Sequence, residues 1–360
     1  MNMQKPLVYK GRGSISNAAG RFEKQSTVAD DDGWGNLDAD LPPLKTEVML
    51  DNSRTIINYN DSPDIPFDRS INPYRGCEHG CIYCFARPSH TYLGLSAGLD
   101  FETRILIKPD APQLLRQALS KRNYQCATLA LGTNTDPYQP LERQHKIMRQ
   151  ILEVLLETRH PVSIVTKSAL IERDLDLLSA MAAQGLVSVG VSITTLDNKL
   201  ARSLEPRAAA PQRRLEVITS LRQAGIPTIV MVAPVIPALN DAELESIIKA
   251  AHSAGANTAA YIMLRLPLEV ADLFAEWLRQ HYPLKAEHVL NLIKECRGGK
   301  TYDSAFKQRM TGTGQYAELI AQRFRLICKR LELEVALPEL RTDLFKKPAA
   351  NGQMSFDFFD

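Results

Sequence analysis

The chain has 360 residues, of which 44% are hydrophobic and 23% are charged, proportions that are ordinary for a globular protein. Its formal net charge of +2 gives no argument, on charge alone, for a nucleic-acid-binding protein. No apolar run reaches about 18 residues, which excludes a membrane-spanning helix from the sequence, and the polar residues 1–12 predict no signal peptide. Six cysteines are too few for a disulfide scaffold, so we expect a reduced, cytoplasmic location.

The N-terminal part of the chain is predicted to contain little regular structure. Residues 1–44 are rich in glycine, asparagine, aspartate and serine, which indicates a poorly ordered leader. The apolar residues between Lys45 and Asn60 occur in strand-like order and predict a short hairpin.

The most specific feature is the cysteine loop, residues 77–84, in which Cys77, Cys81 and Cys84 have the spacing C-x3-C-x2-C. Three thiolates can hold three irons of a cubane iron–sulfur cluster. The fourth iron then stays open to a small molecule, as the open position of a catalytic metal does. The alternative is a structural zinc or iron–sulfur site with His79 or His90 as its fourth ligand.

From residue 70 onward, apolar runs alternate with segments that have helical periodicity. The predicted strands are one just ahead of the cysteine loop, then Cys126–Leu131, Val162–Thr166, Val187–Ile193, Thr228–Val232 and Ala259–Leu264. Apolar strands linked by helices indicate parallel pairing, so we predict an α/β fold, a partial (βα)6 TIM-like barrel with an N-terminal extension. Three further predicted helices, Glu269–Tyr282, Ala286–Glu295 and Thr313–Leu333, form a C-terminal helical extension.

These patterns divide the chain into four expected parts. They are a leader at 1–44, a barrel with its N-terminal hairpin at 45–268, the helical extension at 269–345 and a flexible tail at 346–360.

Polar residues occur where the predicted strands end, which is the active face of such a barrel. Asp136 follows the second strand and suits an ammonium group, or forms an Asx-type turn. Lys167 ends a buried strand and needs an anion such as a ligand carboxylate, and Ser192 offers a hydroxyl to the same group. Arg207 either pairs with the nearby Glu205 or reaches a ribose or substrate.

The cysteine loop, with Tyr83 just before its third cysteine, resembles that of the radical S-adenosylmethionine (SAM) superfamily. This resemblance implies that Cys77, Cys81 and Cys84 hold a [4Fe–4S] cluster. It implies that SAM binds the open iron through its amino and carboxylate groups, with its adenine near Tyr83. One electron, supplied by an electron donor such as a flavodoxin or ferredoxin, then cleaves SAM to methionine and a 5′-deoxyadenosyl radical.

The span from about Thr55 to Pro348 resembles the spore photoproduct lyase-like branch, often labelled DNA-repair photolyase-like. The stretches that carry this resemblance are Pro73–Arg87, Thr135–Tyr138, Thr166–Lys167, Ser192–Leu196, Glu205–Arg207, Ala233–Pro237 with Asn240–Asp241, and Leu264–Pro267. The branch implies that Lys167 and Ser192 bind the SAM carboxylate. The lyase's hydrogen-donating cysteine corresponds to Thr133, so thymine-dimer repair by the same mechanism is not expected.

Two segments bear on macromolecular partners. Residues 294–309 mix basic and aromatic residues around glycines, which suits a loop that follows phosphates or a solvated loop between helices. Gln353–Phe358 resembles the short peptides that bind the bacterial sliding clamp, or is simply a disordered end.

We therefore expect a radical SAM enzyme that abstracts a hydrogen atom from a nucleic acid or another macromolecule, with no residue yet assigned to catalysis. The expected cofactor-binding residues are Tyr83, Asp136, Lys167, Ser192 and Arg207. One alternative is a radical SAM enzyme that acts on a peptide or small metabolite. The other is a non-catalytic iron–sulfur or zinc protein, a redox sensor or an adaptor on the clamp.

Overall fold

The computed structural model describes residues 9–23, 44–334, 336 and 339–348. Its central feature is a seven-stranded sheet with the spatial order β10-β9-β8-β7-β6-β3-β2. A smaller sheet has the order β1-β5-β4. The strands are β1 Glu47–Leu50, β2 Ile57–Tyr59, β3 Arg69–Ile71, β4 Tyr74–Arg75, β5 Arg104–Ile107, β6 Leu129–Leu131, β7 Val162–Thr166, β8 Val187–Ser192, β9 Thr228–Val235 and β10 Thr258–Met263.

Helices connect the parallel strands and continue past the last of them. The α-helices are α1 Asp100–Thr103, α2 Ala111–Leu119, α3 Glu142–His145, α4 Ile147–Glu157, α5 Leu175–Ala182, α6 Asn198–Leu204, α7 Pro211–Gln223, α8 Leu244–Ala254, α9 Glu269–His281, α10 Ala286–Glu295 and α11 Gly314–Arg330. Short 3₁₀ helices cover Arg87–Leu93, Ala169–Asp174 and Asp241–Glu243. Among the residues described, no helix is both long and apolar enough to span a membrane.

The six strands β3, β6, β7, β8, β9 and β10 run parallel to one another, which confirms the predicted α/β partial barrel. Their side chains pack against the connecting helices, and Ile164, Val189 and Val230 are fully buried in this core. Burial on both faces explains why these strands read as continuous apolar runs. Their carboxyl ends meet at one edge of the sheet, and the polar residues singled out in the sequence lie at that edge.

The predicted hairpin between residues 45 and 60 is wrong. Strand β1 pairs in parallel with β5, whereas β2 pairs antiparallel with β3, so the two strands belong to different sheets. The chain between them is held to the smaller sheet, because the Asp51 backbone N–H donates to Ile107 and its carboxylate pairs with Arg75 at 2.6 Å. The apolar pattern located two strands, but it carried no information about their partners.

The expectation of a poorly ordered leader does not hold for residues 9–23. The backbone N–H groups of Gly13 and Ser14 each donate to the buried Glu102 carboxylate at 2.9 Å, and Arg12 donates to the Glu102 carbonyl at 2.8 Å. Two backbone N–H groups and the Arg12 side chain therefore form hydrogen bonds that fix this segment, although its polar composition suggested disorder. The wider division of the chain into domains stays a prediction.

Two of the C-terminal helices cover the carboxyl edge of the sheet near the cysteine loop. The buried Phe274 and Trp277 of α9 belong to a second apolar core that also contains Ile82 of the cysteine loop and Ile236 after β9. Helix α11 packs on α8, where Arg323 pairs with Glu245 at 2.6 Å. Helix α9 therefore packs beside the cysteine loop, whereas α11 packs on α8.

Candidate active site

The cysteine loop lies against α1 and β5 and is tightly enclosed. The Cys77 backbone N–H donates to the Phe101 carbonyl at 2.9 Å. Gly76 has a φ of +80°, and a Cβ there would lie 2.8 Å from a methyl carbon of Ile105 and 2.9 Å from His90. Only glycine fits this approach without strain, so the loop enters its first cysteine in one conformation.

An ion pair between Arg87 and Glu102 supports the cysteine loop, and both side chains are fully buried. Arg87 also donates to the Cys81 carbonyl at 2.9 Å and to the Gly80 carbonyl at 3.3 Å. Sequence reasoning missed this pair. The only signal was an arginine three residues after Cys84, where a surface role is the ordinary expectation.

The three thiols of the loop are free, and burial raises the pKa of each, that of Cys81 to about 12. Within the described ranges, no three Cys, His, Asp or Glu side chains converge closely enough to share one metal ion. A cubane cluster takes each thiolate on a different iron, so its ligands need not converge on one point. The donor set fits an iron–sulfur cluster.

Each histidine proposed as a fourth ligand has one ring nitrogen engaged, and Nδ1 of His90 is buried without a hydrogen-bond partner among the described residues. Nδ1 of His79 lies 3.3 Å from the Asp136 carboxylate, and Nε2 of His90 lies 2.9 Å from the Arg104 carbonyl. Both side chains are buried in these positions. The described contacts therefore hold His79 on Asp136 and leave Nδ1 of His90 unused.

Asp136 forms an Asx-type turn, which the sequence offered as the alternative to binding a ligand ammonium. One carboxylate oxygen accepts from the Tyr138 backbone N–H at 2.9 Å and from the Thr166 hydroxyl at 2.7 Å. The other accepts from the Lys167 backbone N–H at 2.7 Å and faces His79. Burial raises the pKa of Asp136, but His79 and these donors outweigh it and lower the pKa to about 2. With four polar partners, the carboxylate has little capacity left for a ligand ammonium.

Lys167 and Ser192 lie at the carboxyl ends of the neighbouring strands β7 and β8 and have unused polar groups. The Lys167 ammonium is 5.9 Å from the centre of the Tyr83 ring and forms no ion pair with any residue that the structure describes. Ser192 is buried, and its carbonyl accepts from Arg214 at 2.9 Å. Its hydroxyl has no hydrogen-bond partner in the described part of the chain. Two polar groups without described partners therefore lie at the carboxyl ends of adjacent strands.

Tyr83 belongs to a buried network centred on Glu205, which sequence reasoning had considered only as a partner for Arg207. The Glu205 carboxylate accepts from the Tyr83 hydroxyl and, at 2.5 Å, from the Thr194 hydroxyl, and it forms an ion pair with Arg214. Burial raises the pKa of Glu205, but the charges of Arg214 and Lys167 outweigh it and lower the pKa to about 2. The network locks the aromatic residue of the cysteine loop against the carboxyl ends of the strands.

Arg207 does not pair with Glu205. Its guanidinium lies 3.1 Å from Glu78, which also accepts from the Thr46 hydroxyl at 2.6 Å. The Arg207 backbone N–H donates to the His79 carbonyl at 3.3 Å. Arg207 therefore ties the segment after α6 to the cysteine loop, and about a third of its side chain remains exposed.

The basic loop 294–309 has two of its cations bound within the protein. Arg297 is buried and donates to the Leu264 carbonyl at 2.7 Å, and Arg309 pairs with Asp64 at 2.6 Å. This arrangement agrees with a loop that links helices. The clamp-like segment Gln353–Phe358 lies outside the described residues.

Residues 71–251 match the family model described as the radical SAM superfamily, which covers half of the chain. The chain belongs to this superfamily. Its members use a [4Fe–4S] cluster and SAM, need a reductant and cleave SAM reductively.

Among known proteins, an uncharacterized protein of Mycobacterium tuberculosis is 41% identical over 221 residues, which are 61% of this chain and 65% of that protein. The chain thus spans less than two thirds of that relative's length. Spore photoproduct lyase complexed with dinucleoside spore photoproduct has a TM-score of 0.57 and 16% identity, covering 79% of this chain and 78% of the lyase. A variant of the lyase with bound AdoMet has a TM-score of 0.54 and 15% identity, covering 82% of each chain. These solved structures share the fold.

Proposed function

We propose that this protein cleaves SAM reductively at the cysteine loop and uses the resulting radical to abstract a hydrogen atom from a nucleic acid. The observation that carries the first part is the Lys167 ammonium near Tyr83, which has no ion-pair partner in the described ranges, with the Ser192 hydroxyl on the neighbouring strand. When bound, the cluster supplies the electron for the cleavage.

Different residues of the chain are proposed to hold the cluster and SAM. Cys77, Cys81 and Cys84 are the proposed ligands of the cluster, and Lys167 and Ser192 are the proposed donors to the SAM carboxylate. Tyr83 is proposed to lie beside the adenine.

Two further residues are proposed to act through these donors. Asp136 orients Lys167, since its carboxylate holds the Lys167 backbone N–H at 2.7 Å. Arg207 braces the cysteine loop through Glu78.

The proposed substrate class rests on the shared fold. The lyase structure of the same architecture holds a dinucleoside, and a common fold makes the mouth of this barrel a reasonable place for a nucleotide. The reaction itself differs, because Thr133 stands where the lyase has its hydrogen-donating cysteine. A hydroxyl does not replace a thiol as a hydrogen-atom donor. An electron donor such as a flavodoxin or ferredoxin, and a sliding clamp bound through Gln353–Phe358, are proposed partners.

The first experiment tests the cofactor chemistry. The protein is reconstituted anaerobically with iron and sulfide, reduced in the presence of SAM, and assayed for 5′-deoxyadenosine. We expect product from the wild type and none from Cys81→Ala. Lys167→Ala should weaken SAM binding by about tenfold or more, since a hydrogen bond to a charged group contributes about 1.5–3 kcal/mol.

Lys199→Ala, at an exposed lysine of α6, is the matched control and should bind SAM as the wild type does. A protein that binds zinc and no cluster would contradict the proposal. An adaptor would lose nothing when Lys167 is replaced.

The second experiment tests the substrate. Single-stranded and duplex DNA made with deuterated nucleosides is added to the reduced holoenzyme with SAM, and 5′-deoxyadenosine is analysed by mass spectrometry. Deuterium in 5′-deoxyadenosine identifies hydrogen abstraction from the nucleic acid. Abundant 5′-deoxyadenosine without deuterium from any DNA position would point instead to a peptide or small metabolite.

A further inference from the structure

An arginine and a phenylalanine form an exposed stack beside the third cysteine of the loop. Phe85 directly follows Cys84, and its ring is 41% exposed. Arg265 lies two residues beyond the end of β10, and its guanidinium carbon is 4.6 Å from the centre of the Phe85 ring. The contact is of the cation–π type and holds the guanidinium at the carboxyl edge of the barrel, next to the cysteine loop.

The charge of Arg265 has no counter-ion among the residues that the structure describes. Its Nε is buried without a hydrogen-bond partner, and one terminal nitrogen donates at 3.4 Å to the Met310 sulfur, a weak acceptor. No carboxylate forms an ion pair with it in the described part of the chain. A partly buried cation without an anion is unfavourable, so the site is incomplete until an anion binds.

The surroundings of Arg265 increase its need for an anion. The neighbouring Arg297 is a second cation, and burial followed by the charge of Arg265 lowers the pKa of Arg297. The Arg297 guanidinium donates hydrogen bonds to the carbonyls of Met263, Leu264 and Gln308. Two positive charges therefore lie together, and only Arg265 has donors to spare.

Other arginines near the mouth do not share this property. Arg207 pairs with Glu78 and Arg309 pairs with Asp64. Arg265 differs because the partner described for its guanidinium is an aromatic face.

We propose that Arg265 and Phe85 form a substrate subsite, in which the guanidinium pairs with a phosphodiester group and the Phe85 ring stacks on an adjacent base. The inference rests on the proposed nucleic-acid substrate and deepens it. Arginine forks match phosphate oxygens, and aromatic side chains stack on bases irrespective of sequence. The subsite lies beside Cys84, so it would bring a nucleotide to the radical chemistry of the loop.

The test measures binding of a fluorescein-labelled single-stranded oligothymidylate to the reconstituted holoenzyme by anisotropy over a range of salt concentrations. Arg265→Gln should weaken binding by about tenfold and reduce the slope of log K against log salt by about 1, because one phosphate contact is lost. Phe85→Leu should weaken binding by about fivefold or more but keep the wild-type slope, since stacking releases no counter-ions. Arg265→Lys should restore the slope.

Arg279→Gln, at an exposed arginine of α9, is the matched control for the loss of one charge. Iron content and circular dichroism show that each variant has folded and holds its cluster. If the wild type binds oligonucleotide and Arg265→Gln behaves as Arg279→Gln does, the subsite is wrong while the proposed function stands. If the wild type binds no oligonucleotide, the proposed substrate class fails and the subsite fails with it.

Discussion

The hydroxyl of Tyr83 donates a hydrogen bond to the carboxylate of Glu205, 122 residues further along the chain. This contact joins the cysteine loop to the segment after α6, and the ion pair between Glu205 and Arg214 extends it to α7. Three elements that are distant in sequence therefore meet through one buried carboxylate. The geometry of the loop depends on this carboxylate being present and charged.

Glu205→Gln should destabilise the protein strongly. The substitution leaves the buried Arg214 without its counter-charge, and breaking a buried ion pair by removing one partner costs about 3–5 kcal/mol. Chemical denaturation of the apoprotein measures the free energy of unfolding. Glu216→Gln, in which an exposed pair with Arg213 on the same helix is lost, should change it by less than about 1 kcal/mol. Equal effects of the two variants would contradict the role assigned to Glu205.

Gly13→Ala should loosen the cysteine loop from its N-terminal side. A Cβ at Gly13 would lie 1.8 Å from the Gly80 carbonyl oxygen, so the segment or the loop must move. We expect a lower thermal midpoint of the apoprotein and less iron retained per chain after anaerobic reconstitution. Lys10→Ala, at an exposed position of the same segment, is the control and should retain wild-type iron. Wild-type iron in Gly13→Ala would show that this packing does not support the loop.

His160 should make stability depend on pH between about 4 and 6.5. It is buried between the Tyr124 hydroxyl at 2.7 Å and the Pro161 carbonyl at 3.0 Å, and burial lowers its pKa to about 4. The unfolded chain therefore binds a proton at a higher pH than the folded chain does. Stability is complete above the unfolded pKa and is lost as the pH falls towards 4, by up to about 3 kcal/mol.

Urea denaturation of the apoprotein at pH 7 and pH 4.5 tests this pH dependence. His160→Gln should remove most of the difference between the two pH values, whereas His288→Gln, at an exposed position of α10, should keep it. A difference that survives in His160→Gln would assign the pH dependence to other groups.

Asp136→Asn separates two roles for this carboxylate. If Asp136 orients Lys167, the substitution replaces an acceptor by a donor against buried N–H groups and should destabilise the apoprotein by about 1–3 kcal/mol. Thr166→Val should act in the same direction, because the Thr166 hydroxyl donates to the same carboxylate. Isothermal titration with SAM completes the comparison. Weaker SAM binding without any change in apoprotein stability would instead favour direct contact between Asp136 and the SAM ammonium.

Much of the fold was predictable because buried strands and helices have characteristic patterns of apolar residues in the sequence. A parallel strand buried on both faces is apolar throughout, so β7 was predicted with the bounds that the structure shows. Helix α10 was likewise predicted from its apolar spacing. Lys167 and Ser192 could be placed near each other because the carboxyl ends of neighbouring parallel strands share one edge.

Ion pairs and hydrogen bonds between distant polar groups have no such pattern in the sequence. Arg207 is two residues from Glu205, and sequence proximity suggested that they pair, but Arg214 of α7 takes the Glu205 carboxylate. Composition suggested disorder for residues 9–23, but their polar backbone groups satisfy the buried Glu102. In each case the partner is chosen by the packing of distant elements.

The sequence by itself determined the six parallel strands, the three cysteines of the loop and the superfamily, because periodicity and spacing are local properties. Only the tertiary structure decided which strand β1 joins, which cation neutralises Glu205, and that Arg265 reaches Phe85. Those features depend on which side chains share a buried volume. A long-range ion pair or stack is stable only where folding has already removed water from both partners, so it becomes visible only in the folded chain.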